Sequence, residues 1–569
     1  MSEEKNSDLV MTNAKVITVD RDFSIREALA VKDGKIIAVG NNDDVAPFIG
    51  SDTRVLDLKG MTVMPGINEA HMHAPFFGAT RPPLALDLTP PGVRSIRDMA
   101  EVLRQRVREA EPGEWIRGFG WDPGALEECK NDPTRLPRKS DLDSVSKNNP
   151  VIFTDFSGHT LLTNSKTLKL AEISKDTPDP ETGEIERDPV TGEPTGIFKE
   201  LGAQGLIAGV VPLLTREEKK QALITTLDHL KRNGVTSYTD AAIGPGGESF
   251  ISGVMSAEFI DIYRELMKEG ILTARVNILL LLGEYGGLTL DDLKSNLESL
   301  ELPDDVAREW IHFPGIKMFA DGIPPTMTAW MNDDYVLGGH GSSVIPGNTE
   351  EERRDNLIEM IRYIHSKGFQ VGVHATGDRA IDAAVDGFVK SCKELSGGDL
   401  RHYVIHGDFI SAEKARMLAK IKGGVAMQPY IGVTISDYTP AIVGDKRAAY
   451  EWPARTVLDA GVNLTSSSDA PVTYPNWRLG IQAAVLREGL NTGKVSGPEE
   501  CITVEEAIRT YTINGAWQDH MEDIKGSIEV GKLADFCVID RDILEIDPHK
   551  IGDISVIMTI VGGKIIFES

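Results

Sequence analysis

Met64-Pro65-Gly66-Ile67-Asn68-Glu69-Ala70-His71-Met72-His73 sets two imidazoles two residues apart, directly after the apolar run Met61 to Met64. If that run continues as a strand, alternation at period two points His71 and His73 to one side, where a single metal ion can take both nitrogens. Two histidines in a loop also have an ordinary reading, as exposed or hydrogen-bonded groups. The surrounding chain has to decide between them.

Downstream, helical patterns alternate with short apolar runs. Helices are expected at Ile96 to Glu109, Arg216 to Asn233, Asn356 to Lys367, Ala380 to Leu395 and Ala412 to Ile421. Strands are expected at Val235 to Tyr238, Phe369 to Val373, Tyr403 to Ile405 and Gly424 to Met427. This alternation implies a parallel sheet, and over such a length a barrel fits better than an open sheet. No glycine-rich dinucleotide fingerprint follows a strand. From about Arg81 to Pro212 the pattern is irregular and rich in Pro, Gly and acidic residues, which reads as an insertion on one strand-to-helix connection that shapes a substrate pocket. Upstream, Asp8 to Leu58 reads as short strands with an Asp33-Gly34 hairpin turn, and Ala534 to Asp540 and Val556 to Phe567 have the same character. The two end pieces are too small to bury separate cores, so they are expected to complete one sandwich. The expected division is a composite β-sandwich from 1–64 and 523–569, and a barrel at 65–522 with an insertion at about 81–212.

The 569 residues are 41% hydrophobic and carry a net charge of -27. Two or three domains are the prior. Such acidity argues against nucleic acid or an anionic membrane as partner, leaving a small-molecule substrate, and it leaves a homodimer open. Cys129, Cys392, Cys501 and Cys537 are scattered, without a C-x-x-C pair, and read as packing residues in a reducing compartment. No run has the roughly 18 apolar residues of a membrane span, and the N-terminus has acidic residues where a secretory leader is basic; a cytoplasmic enzyme is expected.

Further residues of ligand type fall where apolar strands run out. Lys317 lies inside Pro314 to Gly322, an awkward place for a cation unless it is paired or chemically altered. His374 closes Val371 to Val373, His406 closes Tyr403 to Ile405, and Asp469 follows Val462 to Ser468. Singly, each has a plain reading as a satisfied strand-end histidine or a capping aspartate. Together with His71 and His73 they are six such residues, and in a barrel the C-terminal strand ends converge on one mouth.

At this point the chain resembles the amidohydrolase superfamily, and within it the branch of the N-substituted formamide deformylases. The resemblance spans nearly the whole chain and is carried by Pro65-Gly66 with His71-Met72-His73, Gly120-Trp121-Asp122, Gly158-His159, Ile316 to Gly322, His374 to Ala380 and Ser468 to Val472. It implies a distorted (β/α)8 TIM barrel with a β-sandwich flank and one or two divalent metals, zinc first among them. By that carry-over His71 and His73 bind the first metal, a carboxylated Lys317 bridges, His374 and His406 bind the second, and Asp469 touches the first metal and acts as base. The implied reaction is hydrolysis of an amide or related C–N bond, of an N-formyl or N-acyl amine. Deamination, cyclic-amide opening and ester hydrolysis stay open on the same scaffold, as does a non-catalytic binding protein. Two departures stand out: Ile67-Asn68-Glu69-Ala70 replaces the family's frequent Phe-Ile-Asp-Ser, and Ile405 precedes His406 where Glu is common.

His159 is read either as a catalytic donor to a substrate oxygen or as a loop brace. Asp378 and Arg379 are expected to pair and brace His374, and Asp321 to support the ligands from behind. Trp121, Trp330 and Tyr430 are weighed as pocket walls against core, and His229, His365 and His520 are read as structural.

Overall fold

The computed structural model describes residues 6–132, 135–158, 160–180, 183–248 and 250–569. Its centre is a sheet of eight parallel strands that neighbour one another in chain order: β1 (Ile67–Met72), β2 (Val235–Ile243), β3 (Arg275–Leu281), β4 (Ile311–Phe319), β5 (Gln370–Ala375), β6 (Tyr403–His406), β7 (Gly424–Met427) and β8 (Asn463–Ser466). Every residue of β1, β2, β3, β5, β6 and β7 is buried, as strands covered on both faces must be. The sheet is nearly closed. Just past β8, Asp469 N donates to His71 O at 3.1 Å and His73 N donates to Ala470 O at 2.8 Å, so the two seam strands meet at the mouth.

The helices between strands are amphipathic and capped. Glu350–Ser366 begins behind Thr349, whose side chain accepts from Glu352 N, and buries Leu357, Ile358, Ile361 and Ile364 toward the barrel. Asp378–Glu394 packs beside it on Ile381, Val385 and Phe388.

Strands from both ends of the chain share one sheet. Thr62–Pro65 pairs parallel with Lys15–Ile17 and antiparallel with Phe536–Ile539. Only Gly66 separates Thr62–Pro65 from β1, and a Cβ there would come within 2.0 Å of Thr236 Oγ1, so glycine is required for the flanking sheet to feed the barrel this closely. A second, four-stranded sheet built from Leu9–Thr12, Ala28–Lys32, Lys35–Gly40 and Arg54–Asp57 faces it across a core that includes Leu29, Val63 and Phe536.

The stretch read as irregular is instead built on a six-stranded mixed sheet running from Leu86–Asp87 through Ile116–Trp121, Val151–Asp155, Thr160–Thr163 and Pro194–Lys199 to Glu184–Arg187. Its own core holds Trp121, Phe153 and Leu162. Short strands broken by Pro and Gly hide this order from periodicity. Among the described residues no helix is long and apolar enough to cross a membrane.

Candidate metal centre

His71 lies near the end of β1 and His73 immediately after it, and the period-two expectation holds: both Nε2 atoms face Asp469 Oδ1, at 3.2 and 3.4 Å. Asp469 arrives from the opposite seam strand, in left-handed backbone at φ 55°. Glu69, one of the residues departing from the family pattern, holds it there from β1: Ser468 N donates to Glu69 Oε1 at 2.6 Å. His406 ends β6, also left-handed at φ 73°. Its ring lies 5.6 Å from that of His71 and 4.5 Å from that of His374. One ligand atom each from His71, His406 and Asp469 fall within 4.8 Å of one another. Single non-glycine residues in left-handed backbone cost about 1 kcal/mol or more and persist where their surroundings hold them.

His374 is placed by β5. Its Nε2 lies 3.1 Å from Gly322 O, and since a carbonyl only accepts, that nitrogen carries the proton and Nδ1 presents the lone pair. The Asp321 carboxylate behind it accepts from Trp330 N, Thr376 N and Gly377 N, fixing the turn that leaves the strand. The expected Asp378–Arg379 brace is not what forms. Asp378 accepts from Asn332 N, while Arg379 pairs with Glu350 at 2.7 Å and lies over the Trp330 ring, because the helix start turns both side chains outward. Asp321 and the Gly322 carbonyl do that work.

Lys317, within β4, is 1% exposed. Its Nζ sits 4.6 Å above the Phe319 ring and makes no hydrogen bond or ion pair among the described residues. Burial pulls its pKa down to about 7. An empty volume of about 260 Å3, partly open to solvent, lies beside it between Leu281, Glu284, Phe319 and Ile345. Burial likewise pushes His71 and His374 well below the usual imidazole range and His406 to about 4, so all three are neutral, the form that ligates metals. A larger void behind β7, lined by Met427, Glu451 and Trp452, touches none of the imidazoles.

The donor set fits a cation. His71 Nδ1 and Nε2, His73 Nδ1 and Asp469 Oδ1 are buried without a hydrogen-bond partner among the described residues; the His71–Asp469 approach is close but outside hydrogen-bond geometry. A neutral imidazole has one lone pair, so His71 and His73 each offer at most one nitrogen beside the Asp469 oxygen, and burying these groups unmet is costly unless a cation sits among them.

Other expectations resolve simply. His159 lies outside the described residues. Trp121 and Trp330 are core, with no exposed surface. Gln428, at the end of β7, and Glu69 were missed, although Gln428 follows its apolar strand just as His374 and His406 follow theirs.

A parallel barrel whose mouth gathers imidazoles, a carboxylate and a buried lysine has the build of a metal-dependent hydrolase. The sequence matches the amidohydrolase family over residues 54–567, and the chain belongs to that family. It is similar to the N-substituted formamide deformylase of Arthrobacter pascens, 28% identical over 568 residues that span 99% of this chain and 98% of the relative. It is also 28% identical to the protein LONG AFTER FAR-RED 3 of Arabidopsis thaliana over 98% of this chain and 91% of that one. Among solved structures, an uncharacterized metal-dependent hydrolase from Pyrococcus horikoshii superposes with a TM-score of 0.71 at 22% identity, covering 95% of this chain and 99% of that one. The chain is thus a metal-dependent amidohydrolase acting on carbon–nitrogen bonds.

Proposed function

We propose that this enzyme hydrolyses the amide bond of a small N-formyl or N-acyl amine, releasing a carboxylic acid and an amine, in the cytoplasm. The observation that carries the proposal is the convergence of unpartnered ligand atoms from His71, His73 and Asp469, with His406, at the barrel mouth. The full-length likeness to a formamide deformylase supports the substrate class, and four free cysteines suit a reducing compartment. The catalytic unit is the barrel at 65–522 with its insertion at about 81–212.

His71, His73 and Asp469 would hold one divalent metal, and His374 and His406 a second, with Lys317 shared. Zinc bound there supplies a Lewis acid for the scissile carbonyl and makes water acidic enough to ionise near neutrality. The chain's own part is proton handling and positioning. Asp469 takes a proton from the attacking water on its carboxylate and gives it to the departing nitrogen, so the amine leaves neutral. Lys317 Nζ, whose pKa burial lowers to about 7 so that the free amine is available near neutrality, adds to carbon dioxide and loses a proton, which leaves a carbamate anion beside the imidazoles. His159 is assigned as a donor to the substrate oxygen, tested by His159→Gln.

The deciding experiment is metal analysis of the purified protein together with product analysis on a panel of N-formyl and N-acyl amines. Formate or acyl acid plus free amine is the expected product pair. Ammonia, a ring-opened acid or an alcohol from ester substrates alone would replace this substrate class with deamination, cyclic-amide opening or ester hydrolysis.

A further inference from the structure

We infer that Gln428 selects the nitrogen that His406 turns toward the metal and ties that ligand to the loop carrying Asp469. It is a positioning residue for the cation, and the inference rests on the site reading above. Gln428 follows the last residue of β7 and has no exposed surface.

Its carboxamide has two orientations in principle, and its neighbours leave one. One end lies 3.1 Å from Ala426 O, which only accepts, so that end is the amide nitrogen; the same nitrogen lies 2.9 Å from Ser467 Oγ. Oε1 therefore faces His406 Nδ1, at 2.6 Å. An amide oxygen accepts only, so His406 carries its proton on Nδ1 and leaves the Nε2 lone pair free. His374 is fixed the opposite way by Gly322 O, which leaves Nδ1 free. Two adjacent rings thus present different nitrogens, each chosen by an acceptor behind it.

The clamp reaches further. Ser467 N donates to Met427 O at 3.0 Å, and Ser467 stands two residues before Asp469. One amide therefore joins the ends of β6, β7 and β8, and with them His406 and Asp469. His406 needs such a hold, since its left-handed backbone departs from the strand geometry before it.

The test is zinc affinity of the full chain, measured by competition with a chromophoric chelator and without substrate. Gln428→Leu keeps the bulk, removes the acceptor and frees the His406 tautomer; a loss of about 10- to 100-fold in affinity is expected. Gln428→Glu keeps an acceptor at Nδ1 and should recover most of that loss. Ser467→Ala should cost about 3- to 10-fold, by loosening the tie alone. Thermal unfolding of the metal-free variants checks folding; if Gln428→Leu does not fold, the other two variants carry the test. Zinc held by Gln428→Leu, or by Ser467→Ala in its place, as tightly as by the parent overturns the inference and leaves the site reading intact. A parent chain that takes up no divalent metal overturns the reading, and the inference with it. Weakened zinc binding in a protein that cleaves no formamide supports the inference and defeats only the substrate class.

Discussion

Among the described residues two histidine clusters stand at opposite ends of the barrel. At the C-terminal mouth stand His71, His73, His374 and His406 with Asp469. At the other end, His365 closes the helix before β5, His402 precedes β6, and Cys392 lies between them; ligand atoms of these three also fall within 4.8 Å of one another. Residue types and spacing do not separate the clusters. The hydrogen bonds do. Val371 N donates to His402 Nδ1 at 3.0 Å, so His402 carries its proton on Nε2 and gives it to His365 Nδ1 at 2.8 Å; His365 Nε2 then turns toward the Leu395 carbonyl, short of hydrogen-bond geometry. A ring whose Nδ1 already accepts and whose Nε2 is protonated has no lone pair for a metal. At the mouth, by contrast, His71 Nε2, His73 Nδ1 and Asp469 Oδ1 have no hydrogen-bond partner among the described residues, and the bonds that His374 and His406 do make each leave the other ring nitrogen free. Proximity makes a candidate; unspent lone pairs make a site.

Breaking the mouth cluster should have the largest effects. Asp469→Asn keeps the shape and a ligand oxygen but loses the proton acceptor. Turnover should fall on the order of 10^3-fold, within the range of general-base losses, while metal content by mass spectrometry of the native protein stays near parental. Unchanged turnover would take the base role from Asp469. Lys317→Ala should release at least one metal equivalent and lower turnover by at least about 10^2-fold, the upper reach of support-residue losses. Full metal retention would leave no place for a bridging carbamate.

Much of this convergence is legible in the sequence because His71, His374, His406 and Asp469 fall at or just past the ends of apolar strands, and a barrel sends such ends to one mouth. The helix expected at Ile96 to Glu109 matches the observed span, since its Ser95 cap and its 3.6-residue apolar spacing agree. The helix ending at Ser366 starts six residues before the expected Asn356, because its first turns, Glu350 to Asp355, are charged and carry no apolar signal. The sheet within the insertion stays hidden for a different reason: its strands are short and its core is its own, so no long period marks it. Gln428 escapes a search for ligand types because its amide acts on a neighbouring imidazole, and Glu69, visible only as a departure from the family pattern, carries no sign in the sequence that it reaches across to Ser468 N. The Asp378–Arg379 brace fails because adjacency in sequence does not fix which way side chains leave a helix start.

The far cluster should answer in stability and leave metal untouched. His402→Leu strands Val371 N–H and His365 Nδ1 inside the core, costing about 1–3 kcal/mol for each unmet group, with turnover and metal content unchanged. Burial holds the His402 pKa at about 3, so the folded state resists a proton that the unfolded chain accepts. Stability conferred by this pair is therefore present above pH 6.5 and declines as pH falls from about 6.5 toward 3, and His402→Leu should flatten part of that slope in denaturant titrations. An unchanged slope would mean that His402 contributes nothing to acid unfolding.

The smallest effect, and the sharpest test of the contrast, belongs to Cys392→Ser. The thiol is half-buried, and burial first, then the nearby Asp399, raises its pKa, so it is the protonated thiol and not the thiolate that a metal would take. A serine of nearly the same size keeps the packing and gives up only a weak donor, so the stability change should stay below about 1 kcal/mol. Zinc stoichiometry should be identical to the parent across a titration. If the variant instead lost one equivalent, the hydrogen-bonded His365–His402 pair would have to open to admit a cation, and the distinction drawn from unspent lone pairs would fail at the place where it is most exposed to test.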